Sequence, residues 1–549
     1  MSTPLPPPSA PAARTLSSWG PFVAVVLAYA VVALQQLTLP GVYMDAVNPD
    51  YMVVRMLNRH AQPITAWLLP GNYLVEKMPV LISFYHGSQQ FWLGLPFFWL
   101  FGTSVTGLRL THALFALGLL AALYALLARG GLKPWQAALA CAALAIDPAF
   151  SYAFRTQSYI TLAPAAWLFL SLYSLRRATQ SSPHWRRWLL ASGVFYGWAV
   201  TGYFIYAFFL PALLLALRWW WPAAARPGAA WLLLTAGVAI GGIFYPLGYW
   251  LTIQQLGGIN EAWSYFQQTQ KALNAFGEQP DMVTRIAHVW ATIGSVYQNW
   301  FHHALIFGEH QPVPGAALKM ALLVAVPGLL WVRLEWQRRA PSLLRILIAL
   351  VVSFVAVALV FGTRLSGHHF MVLLPLSYAA LAVASSAIGT PSPAWRRTTA
   401  VFVVPFAVLV ALNVGGQVKE GLRLHETRGV GLYSDAINQL ADELDEGERK
   451  PFVYFPDWGL SMPVAFLTGG RVGMDSIEDF AAARRRLCEG GDVAVAVIHG
   501  DRLARIETWR QALRWDAPML RNYRQGNGEI AFSVATFGGR RDAPACPGR

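Results

Sequence analysis

The sequence predicts a polytopic α-helical membrane protein of about eleven transmembrane helices with a C-terminal soluble α/β domain, and three observations predict it. Only 13% of the 549 residues are charged and 55% are hydrophobic, with a mean hydropathy of +0.41; soluble domains carry roughly 25% charged residues. Apolar runs of about 20 residues, each long enough to cross the hydrocarbon core, recur from Gly20 to Ala411. Beyond residue 416 the composition turns into that of a soluble domain. A closed β-barrel would show short alternating strands in place of these unbroken runs.

Taken in order, residues 1–19 (MSTPLPPPSAPAARTLSSW) form a proline-rich, disordered cytoplasmic leader. The apolar run that follows has no small-residue cleavage pattern and reads as a retained anchor rather than a signal peptide. Spans are expected near 21–39, 108–128, 135–150, 159–175, 188–202, 203–218, 229–251, 316–333, 343–361, 369–388 and 399–415. The stretch 88–102 contains Pro96 and is short for a crossing, so charge decides it. The connectors RRATQSSPHWRR, RWWWPAAAR, RLEWQRR and AWRR carry most of the arginines of the membrane part. They share the cytoplasmic side with Arg14 only if 88–102 does not cross. It is therefore expected as a juxtamembrane helix within an outer loop, 40–107.

The short turn 147–158 and the segment 252–315, rich in Trp, Tyr, Gln and His, are expected on the same outer side, as is the tail 416–549. In that tail SDAINQLADELDE has a Ser N-cap and helical apolar spacing, PFVYFP and DVAVAVIHG read as strands, and RIETWRQALRW reads as a helix. YRQGNGEIAFSVATF reads as a hairpin around Asn-Gly. Cys141 lies in a span; Cys488 and Cys546 lie in the tail, where an oxidising compartment would allow a disulfide.

The net charge of +14 does not mark a nucleic-acid binder, because the arginines cluster between apolar runs with no aromatic-interleaved basic stripe. Signatures of soluble enzymes are absent: no GxxxxGK[ST], GxSxG or HExxH, and no strand–GxGxxG–helix unit. Candidate chemistry gathers at the outer face. Asp45 directly follows the first span, where a carboxylate is costly unless solvated or used. Asp50 stands at the first turn after Asn48-Pro49, which also suits a helix cap. Glu76 and Lys77 lie in GNYLVEKMP, with Tyr85 and His86 in FYHGSQQFW. Asp147 and Arg155 bracket the third crossing's outer end, and an Arg there forms either a structural ion pair or a phosphate clamp. Arg364, His368 and His369 enter the tenth crossing with a composition suited to a lipid phosphate.

An acid after the first crossing, YHGSQQFWLGLPFFWLFG, LRLTHALFALGLLAALYALLARGG and DPAFSYAFR, in that order, resemble the GT-C membrane glycosyltransferases. This is the class of protein O-mannosyltransferases and lipid A aminoarabinose transferases. The resemblance covers residues 20–175 in motif detail and implies that 20–415 is a GT-C-like catalytic module. It implies that Asp45 is the catalytic acid of the first outer loop and that Glu76-Lys77 is a carrier-phosphate element. The sequence departs from the family where Ala46 follows Asp45, where His86-Gly87 replaces His/Lys-Pro-Pro, and where Gln157 replaces an acid near Arg155.

The expected reaction is inverting transfer of a sugar from a polyprenyl-phosphate carrier to a hydroxyl of a lipid, glycan or protein acceptor. Asp45 would act as base, and Lys77, Arg155, Arg364 or a divalent metal (Mg²⁺ or Mn²⁺) would stabilise the departing phosphate. The expected setting is a bacterial inner membrane with the tail periplasmic. A transporter or lipid flippase is the rival reading, but those place charged or broken-helix sites near mid-membrane and often show repeats.

Overall fold

Prolines set where many of the helices begin. Proline occupies the first turn of the helices Gly20–Ala33, Pro134–Ala145, Pro148–Thr156, Ala163–Thr179, Leu210–Trp220 and Val326–Trp336, where its missing N–H would have had no intrahelical partner. The computed structural model describes residues 19–61, 71–72, 74, 78–180, 183–221, 227–272, 280–308, 315–388, 395–447, 450–457, 459–498, 500 and 502–546.

Among these residues, five helices are long and apolar enough to cross a membrane: Val105–Arg129, Ala316–Trp336, Ser342–Arg364, Gly367–Ile388 and Thr399–Thr427. The number rises to seven if two bent pairs each count as one span. Gly20–Ala33 and Phe204–Trp220 are shorter apolar helices, and Ala163–Thr179 and Trp185–Gly202 pack in the same bundle.

Local sequence explains where the expected boundaries shift. The expected turn at 147–158 is instead a helix, Pro148–Thr156, bent 58° from Pro134–Ala145. Asp147 caps it by accepting from Ala149 N at 2.9 Å, so a new helix starts where the old one stops. The expected span 229–251 is broken into Gly228–Gly241 and Phe244–Leu256 at a 43° bend. The last membrane helix runs past residue 415 to Thr427. Residues 88–102 do hold a helix, Gln89–Phe101, with Pro96 inside it.

Two glycine pairs the sequence reading passed over set one close helix crossing. Gly193 and Gly197 face Gly237 and Gly241, and a Cβ on Gly197 would stand 2.6 Å from the Val238 carbonyl oxygen. Small residues four apart let helix backbones touch in lipid.

A hairpin of β1 (Leu81–Ser83) and β2 (His86–Gly87) lies between the membrane helices. The chain after Thr427 forms a five-stranded sheet from β3 (Phe452–Tyr454), β4 (Met474–Asp475), β5 (Val493–Ile498), β6 (Met519–Arg524) and β7 (Ile530–Phe537), in the order β4-β3-β5-β7-β6. β4, β3 and β5 are parallel, while β7 and β6 run antiparallel. Helices Ala436–Glu446, Phe480–Cys488 and Arg502–Leu513 flank it. Ser434 stands one residue further out than an N-cap; Asp435 takes that place, its carboxylate held by Arg428 rather than capping the helix, and Ala436 N reaches Ser434 Oγ at 3.3 Å. A disulfide joins Cys488 to Cys546.

Side-chain alternation gives this sheet two cores. Val493, Val495 and Val497 face Trp509, Leu487 and Leu513. Ala494 and Ala496 face a second cluster that contains Val42, Ala46, Val47 and Tyr51. This cluster joins the sheet, through the helix Ser461–Leu467, to the segment that carries Asp45.

Candidate active site

The segment leading to Asp45 is held by its backbone. After Gly20–Ala33 ends, the carbonyls beyond it have no partners within the helix. Two buried arginines supply them. Arg109 donates to the carbonyls of Leu39 and, at 2.7 Å, Pro40. Arg155 donates to Gln35 O at 2.6 Å, Leu39 O at 3.2 Å and Val32 O at 3.4 Å. Arg155, expected as a phosphate ligand, thus spends its Nη donors on this strap, and 4% of it is exposed.

Asp45 follows in a single helical turn, Met44–Val47, and is half-buried. Gln157 Nε2 donates to its Oδ2 at 2.9 Å and lies 3.2 Å from His368 Nδ1. Gln157, which replaces the family's acid, joins the first outer loop to the entry of the Gly367–Ile388 helix. His368 also meets Ser366 Oγ at 3.0 Å, and its ring lies 4.0 Å from that of His369. Ser366 N donates to His369 Nδ1 at 3.1 Å, which leaves the His369 proton on Nε2, 3.2 Å from the Tyr203 hydroxyl.

Tyrosines from four separate segments surround this group; the sequence singled out Tyr85 but not Tyr43, Tyr203 or Tyr433, because no local pattern brings those segments together. Burial pushes the Tyr43 phenol up to about 12, and the charges of Asp45 and Asp457 add to the rise. Burial first, then Asp45, also raise Tyr85 and Tyr433. Three phenols thus stay protonated within the field of one carboxylate. Tyr433 belongs to the chain beyond Thr427 and anchors it by donating to Thr156 O at 3.1 Å. Gly41 and Gly459 make the contact possible, since a Cβ on either would run into Ser434 O or the Tyr43 ring.

His86 is buried on the hairpin, its ring 5.8 Å from that of Tyr203, and burial holds its imidazole down to about 3. Gly87, where the family has proline, lies against the Thr201 carbonyl with no room for a Cβ. Arg364 ends the short turn Gly362–Arg364, just before Ser366. Glu76 and Lys77 lie outside the described residues.

The other two acids stand apart. Asp50 is wholly buried and, rather than capping its helix, takes Gln90 Nε2 and His112 Nε2, each at 2.7 Å. Asp147 is wholly buried, 2.5 Å from Lys319 Nζ and 2.8 Å from the Tyr378 hydroxyl. Neighbouring Asn413 donates to Tyr378, and Asn299 to Glu420. Sequence reading missed Lys319, although a lone lysine within an apolar run signals a buried acid. Among the described residues, no group of three or more His, Cys, Asp or Glu side chains could hold a metal ion.

Residues 87–250 match the family model for dolichyl-phosphate-mannose-protein mannosyltransferases. The crystal structure of ArnT from Cupriavidus metallidurans bound to undecaprenyl phosphate aligns with a TM-score of 0.56 at 14% identity, over 97% of this chain and 100% of that one. The apo state of ArnT from the same organism aligns with a TM-score of 0.50 at 14% identity, over 95% of this chain and 97% of that one. No curated protein matches the chain. In fold over nearly its whole length, and in sequence over residues 87–250, this multi-pass membrane chain is similar to the GT-C membrane glycosyltransferases.

Proposed function

We propose that the chain is an inverting glycosyltransferase that moves a sugar, a hexose or pentose, from a polyprenyl-phosphate carrier to an acceptor hydroxyl at the outer face of the membrane. The observation that carries this reading is the surroundings of Asp45: a half-buried carboxylate with an amide donor shared with His368, and phenols within its field. Its fold is similar to that of a protein whose crystal structure holds undecaprenyl phosphate.

In the proposed reaction the acceptor oxygen forms a bond to the anomeric carbon. Its proton passes to Asp45, and the carbon–oxygen bond to the carrier breaks with its electron pair leaving on the phosphate. Attack opposite the phosphate inverts the centre. Gln157 orients the Asp45 carboxylate, and the buried phenols limit water around it. Arg364, beside the histidines, suits the departing phosphate, as does Lys77. A divalent metal (Mg²⁺ or Mn²⁺) held beside the carrier phosphate would supply the same charge stabilisation, and no step here runs through one.

The arginine-rich connectors support a cytoplasmic N-terminus, a periplasmic position for residues 416–549 as an α/β domain, and a bacterial inner membrane. The acceptor belongs to a lipid, a glycan or a protein. The test is transfer by the purified protein from a panel of polyprenyl-phosphate sugars, with the product anomer read by NMR. Transfer with inversion is expected. Retention of configuration, or use of nucleotide sugars alone, would overturn the reading.

A further inference from the structure

The end of the bundle remote from Asp45 carries a second concentration of polar groups. Three helices define it. Ala163–Thr179 starts close after Gln157 and carries Arg176 and Arg177 in its last turn. Trp185–Gly202 runs back to Tyr203, and Leu210–Trp220 returns again to Trp220 and Trp221. At 1.5 Å per residue, the 18-residue helix Trp185–Gly202 separates the two ends by about 25 Å.

At this far end cations and indoles interleave. The Arg176 guanidinium lies 5.2 Å from the Trp220 ring centre and that of Arg177 4.6 Å from Trp188. The Trp185 and Trp221 rings are 5.4 Å apart. Four N–H groups here are buried without an acceptor: Arg176 Nε, Arg177 Nε, Trp220 Nε1 and Trp221 Nε1. Buried donors are normally satisfied, and these four all require the same thing, an acceptor.

Among the described residues none accepts from these four. No Asp or Glu occurs between Asp147 and Glu261. On the adjoining helix, Glu335 already accepts from Arg345 through both carboxylate oxygens, at 2.6 and 2.9 Å. The lipid-facing side of Leu210–Trp220 is apolar, with Leu214 38% and Trp219 47% exposed. A ligand reaching these donors from the bilayer would therefore bring an anionic head and apolar tails.

We propose that this end of the bundle is a binding site for the phosphodiester headgroup of an anionic phospholipid. The phosphate oxygens accept from the guanidinium and indole N–H groups, while the acyl chains lie along Leu214 and Trp219. Basic pockets between membrane helices take such headgroups, and arginine presents the planar donor fork that phosphate oxygens match. The inference rests on the bundle lying in a bilayer and not on the transferase reading, so either can fail alone.

The test is native mass spectrometry of the detergent-purified full chain, titrated with phosphatidylglycerol, phosphatidylcholine or inorganic phosphate. Phosphatidylglycerol should remain bound to the wild type and be weakened at least tenfold in the Arg176→Gln, Arg177→Gln double variant. Phosphatidylcholine should bind no more tightly to the wild type than to the variant. To guard against misfolding of that double variant, Trp220→Phe with Trp221→Phe keeps aromatic rings and removes two donors; it should weaken phosphatidylglycerol several-fold with melting unchanged. Equal phosphatidylglycerol binding by wild type and both variants would overturn the proposal. So would full displacement of the lipid by equimolar inorganic phosphate, which would make this a free-phosphate site.

Discussion

Asp45 and Asp147 are both aspartates near the end of an apolar run, yet their surroundings differ in kind. Asp147 is wholly buried, with a lysine at 2.5 Å and a tyrosine hydroxyl at 2.8 Å. Asp45 is half-buried and receives a neutral amide from Gln157. In a medium of low dielectric a carboxylate is stable only with its charge answered. The Asp147 region meets that requirement with a cation and ties helices together. Asp45 keeps part of its surface exposed, which the proposed role as a base would use.

The strongest way to break this contrast is Asp45→Asn. It should lower kcat by about 100- to 10,000-fold and leave the melting temperature in place. A fully active, equally stable variant would move the base elsewhere, and Asp50→Asn would then be examined for the same loss.

Next in size is Lys319→Ala, which leaves Asp147 buried without its cation and should destabilise the fold by about 3–5 kcal/mol. The Lys319→Met, Asp147→Asn double variant removes both charges and should recover most of that loss in denaturant melts. If the single variant melts like wild type, the Lys319–Asp147 pair does not hold these helices together.

A smaller change sharpens the Asp45 side. Gln157→Ala removes an N–H donor from a carboxylate, an interaction worth about 1.5–3 kcal/mol. A carboxylate that loses a donor holds its proton more tightly, so the acid limb of the kcat/KM profile should shift to higher pH. A uniform fall in rate with no shift of the limb would assign Gln157 a packing role.

The least effect is expected at Asp445, beyond the membrane helices. The Arg471 hydrogen bonds hold its carboxyl below the ordinary value, against the opposing effect of burial, with Lys450 adding to the lowering. A lowered folded-state value means the stabilisation is present above the unfolded carboxylate range, and it is lost as pH falls through the folded value. Both partners meet solvent, so Asp445→Asn should cost less than about 1 kcal/mol at pH 7 in melts.

The parts of the fold that were legible are those written in neighbouring residues. DVAVAVIHG and PFVYFP became β5 and β3 because their apolar runs sit between turn residues. The hairpin around Asn527-Gly528 became β6 and β7. Asp45 and His368 were singled out by their place along the chain, and the structure brings both to the Gln157 amide. It was illegible where roles depend on partners far away in sequence. Asp50 meets His112 across 62 residues, and Lys319 meets Asp147 across 172. Nothing near Arg155 distinguishes a guanidinium that will meet phosphate from one that will meet carbonyls.

The two arginines that hold the strap carry one more consequence. Arg109 and Arg155 bind the main-chain oxygens of Gln35, Leu39 and Pro40, not their side chains. The identity of those residues is therefore uncoupled from the anchorage they provide. Within this stretch Gln36 adds a side-chain tie of its own, donating to Gly421 O at 3.0 Å. If Asp45 is the base proposed above, its position is inherited from main-chain atoms, and side-chain changes at Gln35 or Pro40 would leave the reacting geometry where it is.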